Sequence, residues 1–230
     1  MERQGEVIVD YILSRLFSIL ITLPAVLLVI IIHECAHGYV AYRLGDPTAK
    51  HMGRLTLNPL RHLDPIGTLC MVFFHFGWAK PVPVNPSYFR DPKKGMALTA
   101  LAGPMVNILT AFLAVPLSML VEHAYYLHYD AAFLAAFLRV LSLFFYYLHA
   151  VSIGLALFNL IPIPPLDGSQ ILFALLPARQ YNTLMRYRRY FPFAFLLFLI
   201  ASHRFGILSS ISGFVSLGME RIWSLIPYFR

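Results

Sequence analysis

The stretch LVIIIHECAHGYV, residues 28–40, ends an apolar helix with two imidazoles, a carboxylate and a thiol. The segment 16–40 as a whole is apolar and long enough to cross a bilayer, which takes roughly 20 residues. We expect one long helix over 11–44 that ends at LGDP, because glycine and proline mark helix ends. An ionisable side chain costs on the order of 3 kcal/mol at the bilayer centre, so this cluster indicates a functional site.

The composition is that of an integral membrane protein. Of the 230 residues, 59% are hydrophobic and 13% are charged, whereas about a quarter of a soluble domain is charged. The net charge is +7, but the basic residues lie in loops between apolar segments, as the positive-inside rule describes. We therefore predict the lipid bilayer as the partner of this chain and no nucleic acid. A single domain is expected over 1–230, with the core that carries the site over about 11–176.

Further apolar segments predict the fold class. Two are clear spans, 95–121 and 131–160. Near the end of the sequence, 191–200 and 207–226 predict either two crossings or one crossing and a surface helix. We expect an all-α polytopic membrane protein, a bundle of about five to six transmembrane helices.

A shorter element is expected between the first two spans. The apolar segment 66–78 is too short for a full crossing and predicts a re-entrant or tilted segment. Before it, 54–58 alternates between apolar and polar residues, and after it 80–85 is typical of extended chain. We predict that these pieces form a short β-hairpin near the site.

The loops predict the orientation of the spans. Arginine and lysine are concentrated in three loops that we expect in the cytoplasm, 43–65, 79–94 and 177–189. The turn 122–130 has neither residue type and is expected outside. The ends of the first and third spans then lie in the same cytoplasmic leaflet.

The HECAH sequence has the H-E-x-x-H pattern. His33 and His37 are four residues apart and share one helix face, so both imidazoles can bind one metal ion. Glu34 is placed to reach a water molecule on that ion as a general base. Chance polarity at a helix end is the alternative, but this spacing arises in only about 1% of chains of this length. A metal site is the better explanation.

A zinc site with an open position usually has three protein ligands. The sequence NLIPIPPLDG follows the third span, and its three prolines do not continue a helix. Irregular backbone in a membrane is tolerated where it is buried in protein or lines a water-filled cavity. Asp167 begins the next helix, where alone it would be explained as a helix cap. With His33 and His37 in the same leaflet, we predict that it is the third ligand.

These motifs resemble those of the site-2 protease family of intramembrane zinc metalloproteases, in its compact prokaryotic type without PDZ or CBS domains. That family combines HExxH with N-x-x-P-x-P-x-x-D-G. The chain matches the second motif at Asn159, Pro162, Pro164, Asp167 and Gly168. The resemblance extends to GPMVN, GRLTLNP and GWAKPVPVNP and covers roughly 30–171.

The resemblance implies that His33, His37 and Asp167 bind one Zn²⁺ and that Glu34 activates water. Asn159 is implied to hydrogen-bond the scissile carbonyl or its oxyanion, with an interhelical hydrogen bond as the alternative. The implied substrate is a transmembrane protein, commonly single-span and first trimmed by another protease. The implied location is the plasma membrane, with a multi-pass chain and the active site toward the cytoplasmic leaflet. No substrate-binding residue, regulatory partner or homo-oligomer is assigned.

Two further elements have structural explanations as well as functional ones. Gly103 and Asn107 lie on a small helix face, and we predict that this face packs against the HExxH helix. An exposed edge of the 54–58 and 80–85 pieces would bind an unwound substrate segment by strand addition. A self-contained hairpin that braces the loop explains these pieces equally well.

Two other functions remain open from the sequence. A prenyl-protein processing protease also has HExxH, but its third ligand is a glutamate on a later helix, and only Glu122 and Glu220 follow the motif here. A non-catalytic membrane metal-binding or metal-transport protein would need ligands but no general base. Glu34 argues against this second alternative.

Overall fold

The structure is a computed structural model that describes residues 2–74 and 80–226. The described part is helical, and short 3₁₀ turns lie at Pro59–Arg61, Pro86–Tyr88 and Arg188–Tyr190. Its α-helices, numbered in chain order, are α1 Glu2–Arg43, α2 Thr48–His51, α3 Pro65–Phe74, α4 Pro92–Leu127, α5 Ala132–Asn159, α6 Asp167–Leu175, α7 Ala178–Arg186, α8 Phe191–Phe205 and α9 Ile207–Ser224.

Within the described residues, three helices are long and apolar enough to cross a membrane: Leu16–Arg43 of α1, α4 and α5. The three clear spans predicted from the sequence are therefore confirmed as helices. The α8–α9 pair passes the same test together but bends by 63° at its break, which gives up to four crossings in the described residues. The predicted count of five to six is not confirmed.

The three long helices pack through small side chains. Ala25 and Val29 of α1, Ala114 of α4 and Leu148 of α5 form one buried cluster. Small residues let helix backbones approach closely, which is the main source of helix association in lipid. Residues nearer the start of α1 contact residues nearer the end of α4, so the two helices are antiparallel. The end of α1, the start of α4 and the end of α5 consequently lie at the same end of the bundle.

α9 packs against both α4 and α5. His149 of α5 contacts the carbonyl oxygen of Ala111 through Nδ1 at 2.9 Å and the Ser216 hydroxyl through Nε2 at 3.0 Å. Trp223 donates its indole N–H to the carbonyl oxygen of Phe112 at 2.9 Å. These polar contacts between helices give His149 a structural role.

The predicted β-hairpin is not observed, since neither 54–58 nor 80–85 forms a strand in the described residues. Residues 80–85 have no regular secondary structure and are called the extended segment below. Their backbone N–H groups donate to acceptors other than a neighbouring strand. Lys80 donates to the carbonyl oxygen of His62 at 2.8 Å, and Val82 donates to Glu34 Oε2 at 2.9 Å. The prolines at 81 and 83 have no N–H to donate, which prevents a regular ladder.

The predicted re-entrant element falls partly on residues 75–79, including His75 and Trp78, which lie outside the described residues. Its first part is α3, which ends at Phe74. This prediction therefore stays a prediction.

Candidate metal centre

α1 places His33 and His37 one turn apart on the face that meets α4. Both histidines are buried, with 4% and 8% of their residue surfaces exposed. Gly103 of α4 lies against the two rings, so its missing side chain is what lets α4 approach them. The helical spacing that the sequence suggested thus directs both imidazoles to one point.

The third group comes from the chain after α5. The helix ends at Asn159, the peptide bond between Pro164 and Pro165 is cis, and Asp167 begins α6. Leu166, not Asp167, is the N-cap of α6, and it makes no side-chain capping bond. The backbone of Gly168 packs so closely on Leu160 that a Cβ would lie 2.3 Å from the carbonyl oxygen of Leu160. This tight reversal turns the Asp167 carboxylate toward α1.

The three predicted ligands converge. His33 Nε2 and His37 Nε2 are 3.0 Å apart, and Asp167 Oδ2 is 3.2 Å from each. Two ligand atoms at about 2.0 Å from a tetrahedral zinc ion are about 3.3 Å apart, so the spacing suits such an ion. Two imidazoles and one carboxylate also form a donor set that leaves a fourth position open.

The second nitrogen of each ring is engaged by α4. His37 Nδ1 is 2.7 Å from the carbonyl oxygen of Thr99, which can only accept, so this nitrogen carries the proton. In the neutral form that binding to a metal requires, His37 Nε2 then presents a lone pair to the three-residue group. His33 Nδ1 is 3.0 Å from Asn107 Nδ2. The residues present fit a zinc ion, since Nε2 of both rings faces the three-residue group and Nδ1 of both rings contacts α4.

Glu34 and Asn159 lie in the cavity beside this group. The cavity has a volume of about 450 Å³, and its lining includes all five predicted site residues. One carboxylate oxygen of Glu34 accepts the Val82 N–H. The Asn159 amide donates to the carbonyl oxygen of Leu155 at 3.0 Å, which is a bond within its own helix. The structure thus brings together His33, Glu34, His37, Asn159 and Asp167.

The extended segment forms part of the cavity wall, together with residues of α4 and α5. Pro81, Val82 and Val84 line it. The far end of the segment is fixed by Asp46, whose Oδ2 accepts the Asn85 N–H at 2.7 Å. Burial alone raises the pKa of Asp46, but hydrogen bonds from Thr48 and Asn85 outweigh it and hold that pKa below its ordinary value. Asp46 is therefore ionised at neutral pH.

Sequence reasoning missed four contacts of this site. It did not find the acceptor at Thr99, the N–H of Val82 or the carboxylate of Asp46, and it assigned Asn107 to packing alone. The first two are backbone groups, which no residue type reveals. Asp46 and Asn107 carried a signal, since a polar residue inside or directly beside an apolar span needs a partner.

Other candidate residues lie elsewhere. Glu122 and Glu220 are exposed on α4 and α9, so neither is a third ligand here. His62 is buried and places Nε2 2.7 Å from the carbonyl oxygen of Thr56, in the loop after α1. Lys80 is exposed.

The fold and the site define a class, that of membrane helix bundles with an H-E-x-x-H metal-binding group. The family model described as Peptidase family M50 matches residues 126–201, which include the whole NLIPIPPLDG motif. The resemblance to the site-2 protease family is therefore confirmed.

Curated relatives agree with this family. The chain is 44% identical over 145 residues to "Putative zinc metalloprotease YwhC" of Bacillus subtilis, covering 63% of this chain and 64% of the relative. It is 29% identical over 170 residues to "Putative zinc metalloprotease Rip2" of Mycobacterium tuberculosis, covering 67% of this chain and 60% of the relative. The chain thus spans less than two thirds of the length of these relatives. No solved structure matches it.

Proposed function

We propose that this protein is an intramembrane zinc metalloprotease that hydrolyses a peptide bond within or near the transmembrane segment of another membrane protein. The observation that carries the proposal is the convergence of His33, His37 and Asp167 within 3.2 Å of one another, beside Glu34. The family resemblance and the names of the relatives support it. One ion per chain fits the one such three-residue group among the described residues.

Glu34 is the proposed general base. When bound, zinc lowers the pKa of a water molecule and polarises the scissile carbonyl. The Val82 N–H fixes one oxygen of Glu34 at 2.9 Å, which leaves the other to accept the proton of the attacking water. Glu34 lines the same cavity as the ligands, so no large movement of α1 is needed for this step.

Asn159 is the proposed donor to the oxyanion. Its amide is half-buried and lines the cavity, and within the described residues it donates to a carbonyl of its own helix. Rotation of the side chain would bring the N–H groups toward a substrate carbonyl, where a preorganised donor contributes about 3 kcal/mol. Asn159 is the last residue of α5, so its side chain lies at the end of that helix beside the cavity.

The proposed substrate is a transmembrane segment, commonly that of a single-span protein, with residues that break its helix. A helical peptide bond is already hydrogen-bonded and hidden, so the segment must unwind before it enters a cavity of about 450 Å³. Strand addition to the extended segment stays a hypothesis for how the unwound part binds. We propose a plasma-membrane location with the site in the cytoplasmic leaflet, because the basic loops lie at the same end of the bundle.

The test is the Glu34→Gln variant, purified and reconstituted with single-span membrane proteins. We expect cleavage to fall about 10²- to 10⁴-fold, the usual contribution of a general base. Zinc content should stay the same, since Glu34 is not among the converging ligands. Glu220→Gln, at an exposed position of α9, is the matched control and should cleave normally.

Continued cleavage by the Glu34→Gln variant would contradict the proposed mechanism. If the unaltered protein binds zinc, cleaves none of the substrates and moves the metal across vesicle membranes, the non-catalytic metal-transport alternative is correct instead.

A further inference from the structure

Asn107 is a fully buried polar residue in the middle of α4. Its Nδ2 is 3.0 Å from His33 Nδ1, while its Oδ1 is buried and has no hydrogen-bond partner in the described part of the chain. A buried acceptor without a partner costs about 1–3 kcal/mol. Packing alone does not explain why an asparagine occupies this position.

The chemistry of the metal group supplies the missing partner. An imidazole that gives its Nε2 lone pair to a metal carries its proton on Nδ1, and that proton needs an acceptor. His37 has one, the carbonyl oxygen of Thr99 at 2.7 Å. For His33, the side chain in reach is Asn107. A half-turn of its carboxamide exchanges Nδ2 and Oδ1, and the hydrogen-bond network decides which of them faces the ring.

We propose that Asn107 is a positioning residue of the metal centre, whose carboxamide oxygen accepts the Nδ1 proton of His33 and keeps the Nε2 lone pair directed at the ion. The inference rests on the proposed zinc site and goes beyond it, since Asn107 does not bind the ion. Thr99, Gly103 and Asn107 are spaced by four residues, so one face of α4 serves both imidazoles. Gly103 provides the space between the two acceptors.

Three variants of the full-length protein separate an acceptor role from packing. Asn107→Leu keeps much of the volume and removes both polar groups. Asn107→Asp keeps an acceptor and removes the amide donor. Thr110→Val is the matched control on the same helix, since the Thr110 hydroxyl donates to the carbonyl oxygen of Val106 and to none of the ligands.

The measurement is the affinity of the purified protein for Zn²⁺, in competition with a chelator of known strength. We expect Asn107→Leu to weaken binding about 10- to 100-fold, as loss of a partner of a ligating histidine does. Asn107→Asp and Thr110→Val should stay close to the unaltered protein. The visible absorption of Co²⁺ bound in place of Zn²⁺ should change in Asn107→Leu alone, and this readout does not depend on cleavage.

Equal Zn²⁺ affinity of Asn107→Leu and the unaltered protein overturns the proposal. A loss in Asn107→Asp as large as that in Asn107→Leu also overturns it, because the amide donor is then what matters. If size-exclusion chromatography shows that Asn107→Leu does not fold, Asn107→Ala takes its place. If the unaltered protein binds no Zn²⁺, the zinc site itself is wrong, so the two failures are distinguishable.

Discussion

At Gly103, the backbone of α4 packs tightly against the imidazoles of His33 and His37. A Cβ added there would lie 2.5 Å from His37 Nε2 and 2.6 Å from His33 Nε2. Side-chain carbons essentially never approach other atoms this closely. The two imidazoles therefore occupy the volume that any other residue at position 103 would fill.

The Gly103→Ala variant is expected to lose zinc and cleavage activity while the helix itself remains stable. Alanine at a helix interior is favoured over glycine by about 0.5–1 kcal/mol, so α4 should not unfold. The rings must move instead, and we expect Zn²⁺ affinity to fall at least about tenfold. Zinc content and thermal unfolding of the purified variant check this prediction.

Gly154→Ala is the matched control for that experiment. Gly154 lies in α5, and a Cβ there would meet no atom within 4 Å. This variant should bind zinc normally and be slightly more stable. Normal zinc binding by Gly103→Ala as well would show that the close approach of α4 is not required.

The convergence of His33, His37 and Asp167 could be predicted from the sequence, but the contacts around these residues could not. His33, His37 and Asp167 are marked by spacing within a helix and by a run of prolines, which are local properties. The contact between Asn107 and His33 depends on how deeply α4 packs against α1, which a sequence pattern does not fix. Asn107 was accordingly assigned to packing alone.

At the scale of the elements, two side-chain carboxylates fix the extended segment in place. Glu34 accepts the N–H of Val82, and Asp46 accepts the N–H of Asn85. Both carboxylates belong to α1 or the turn directly after it, so the segment follows the end of that helix. Its position across the cavity therefore depends on two charge-assisted hydrogen bonds, which are about twice as strong as neutral ones.

Val82→Pro tests the first of these bonds, because proline has no N–H to donate. We expect cleavage to fall by about 10²-fold, since a small displacement of a catalytic group costs that much. Zinc binding should be retained. Val82→Ala keeps the N–H and loses only part of the side chain, so it should be the less impaired variant in the same cleavage assay. The reverse order would show that the Val82 side chain matters and the N–H does not.

Element boundaries illustrate what patterns do and do not reveal. The first span was expected over 11–44, and α1 is Glu2–Arg43. Long apolar runs determine such helices regardless of their neighbours. The hairpin prediction was wrong because alternation in 54–58 was weighted above the prolines of 80–85. The N–H groups of 80–85 donate to residues that are distant in the sequence, and a local pattern does not reveal such partners.

At the scale of the whole molecule, the antiparallel packing of α1, α4 and α5 places the metal centre near one end of the bundle. The basic loops after α1 and before α4 lie at that same end. The turn between α4 and α5 lies at the other end. The positive-inside rule then predicts that the metal-centre end faces the cytoplasm.

Single cysteines at two exposed positions test this orientation. We expect Tyr129→Cys, in the α4–α5 turn, to react with a membrane-impermeant thiol reagent in intact cells. Asn182→Cys, on α7, should react only after the membrane is opened. The background carries alanine at Cys35 and Cys70, the native cysteines, which lie in α1 and α3. The opposite labelling pattern would place the site at the outer leaflet.

His33 and Asp167 are 134 residues apart in the chain. In the unfolded chain such donors do not form a chelate, so an ion that joins them favours the assembled bundle over every open form. The free energy of coordination then links α1 to the segment that follows α5. The same bound ion would thus support both the reaction and the stability of the helix bundle. Removing it should lower the stability of the fold as well as the activity.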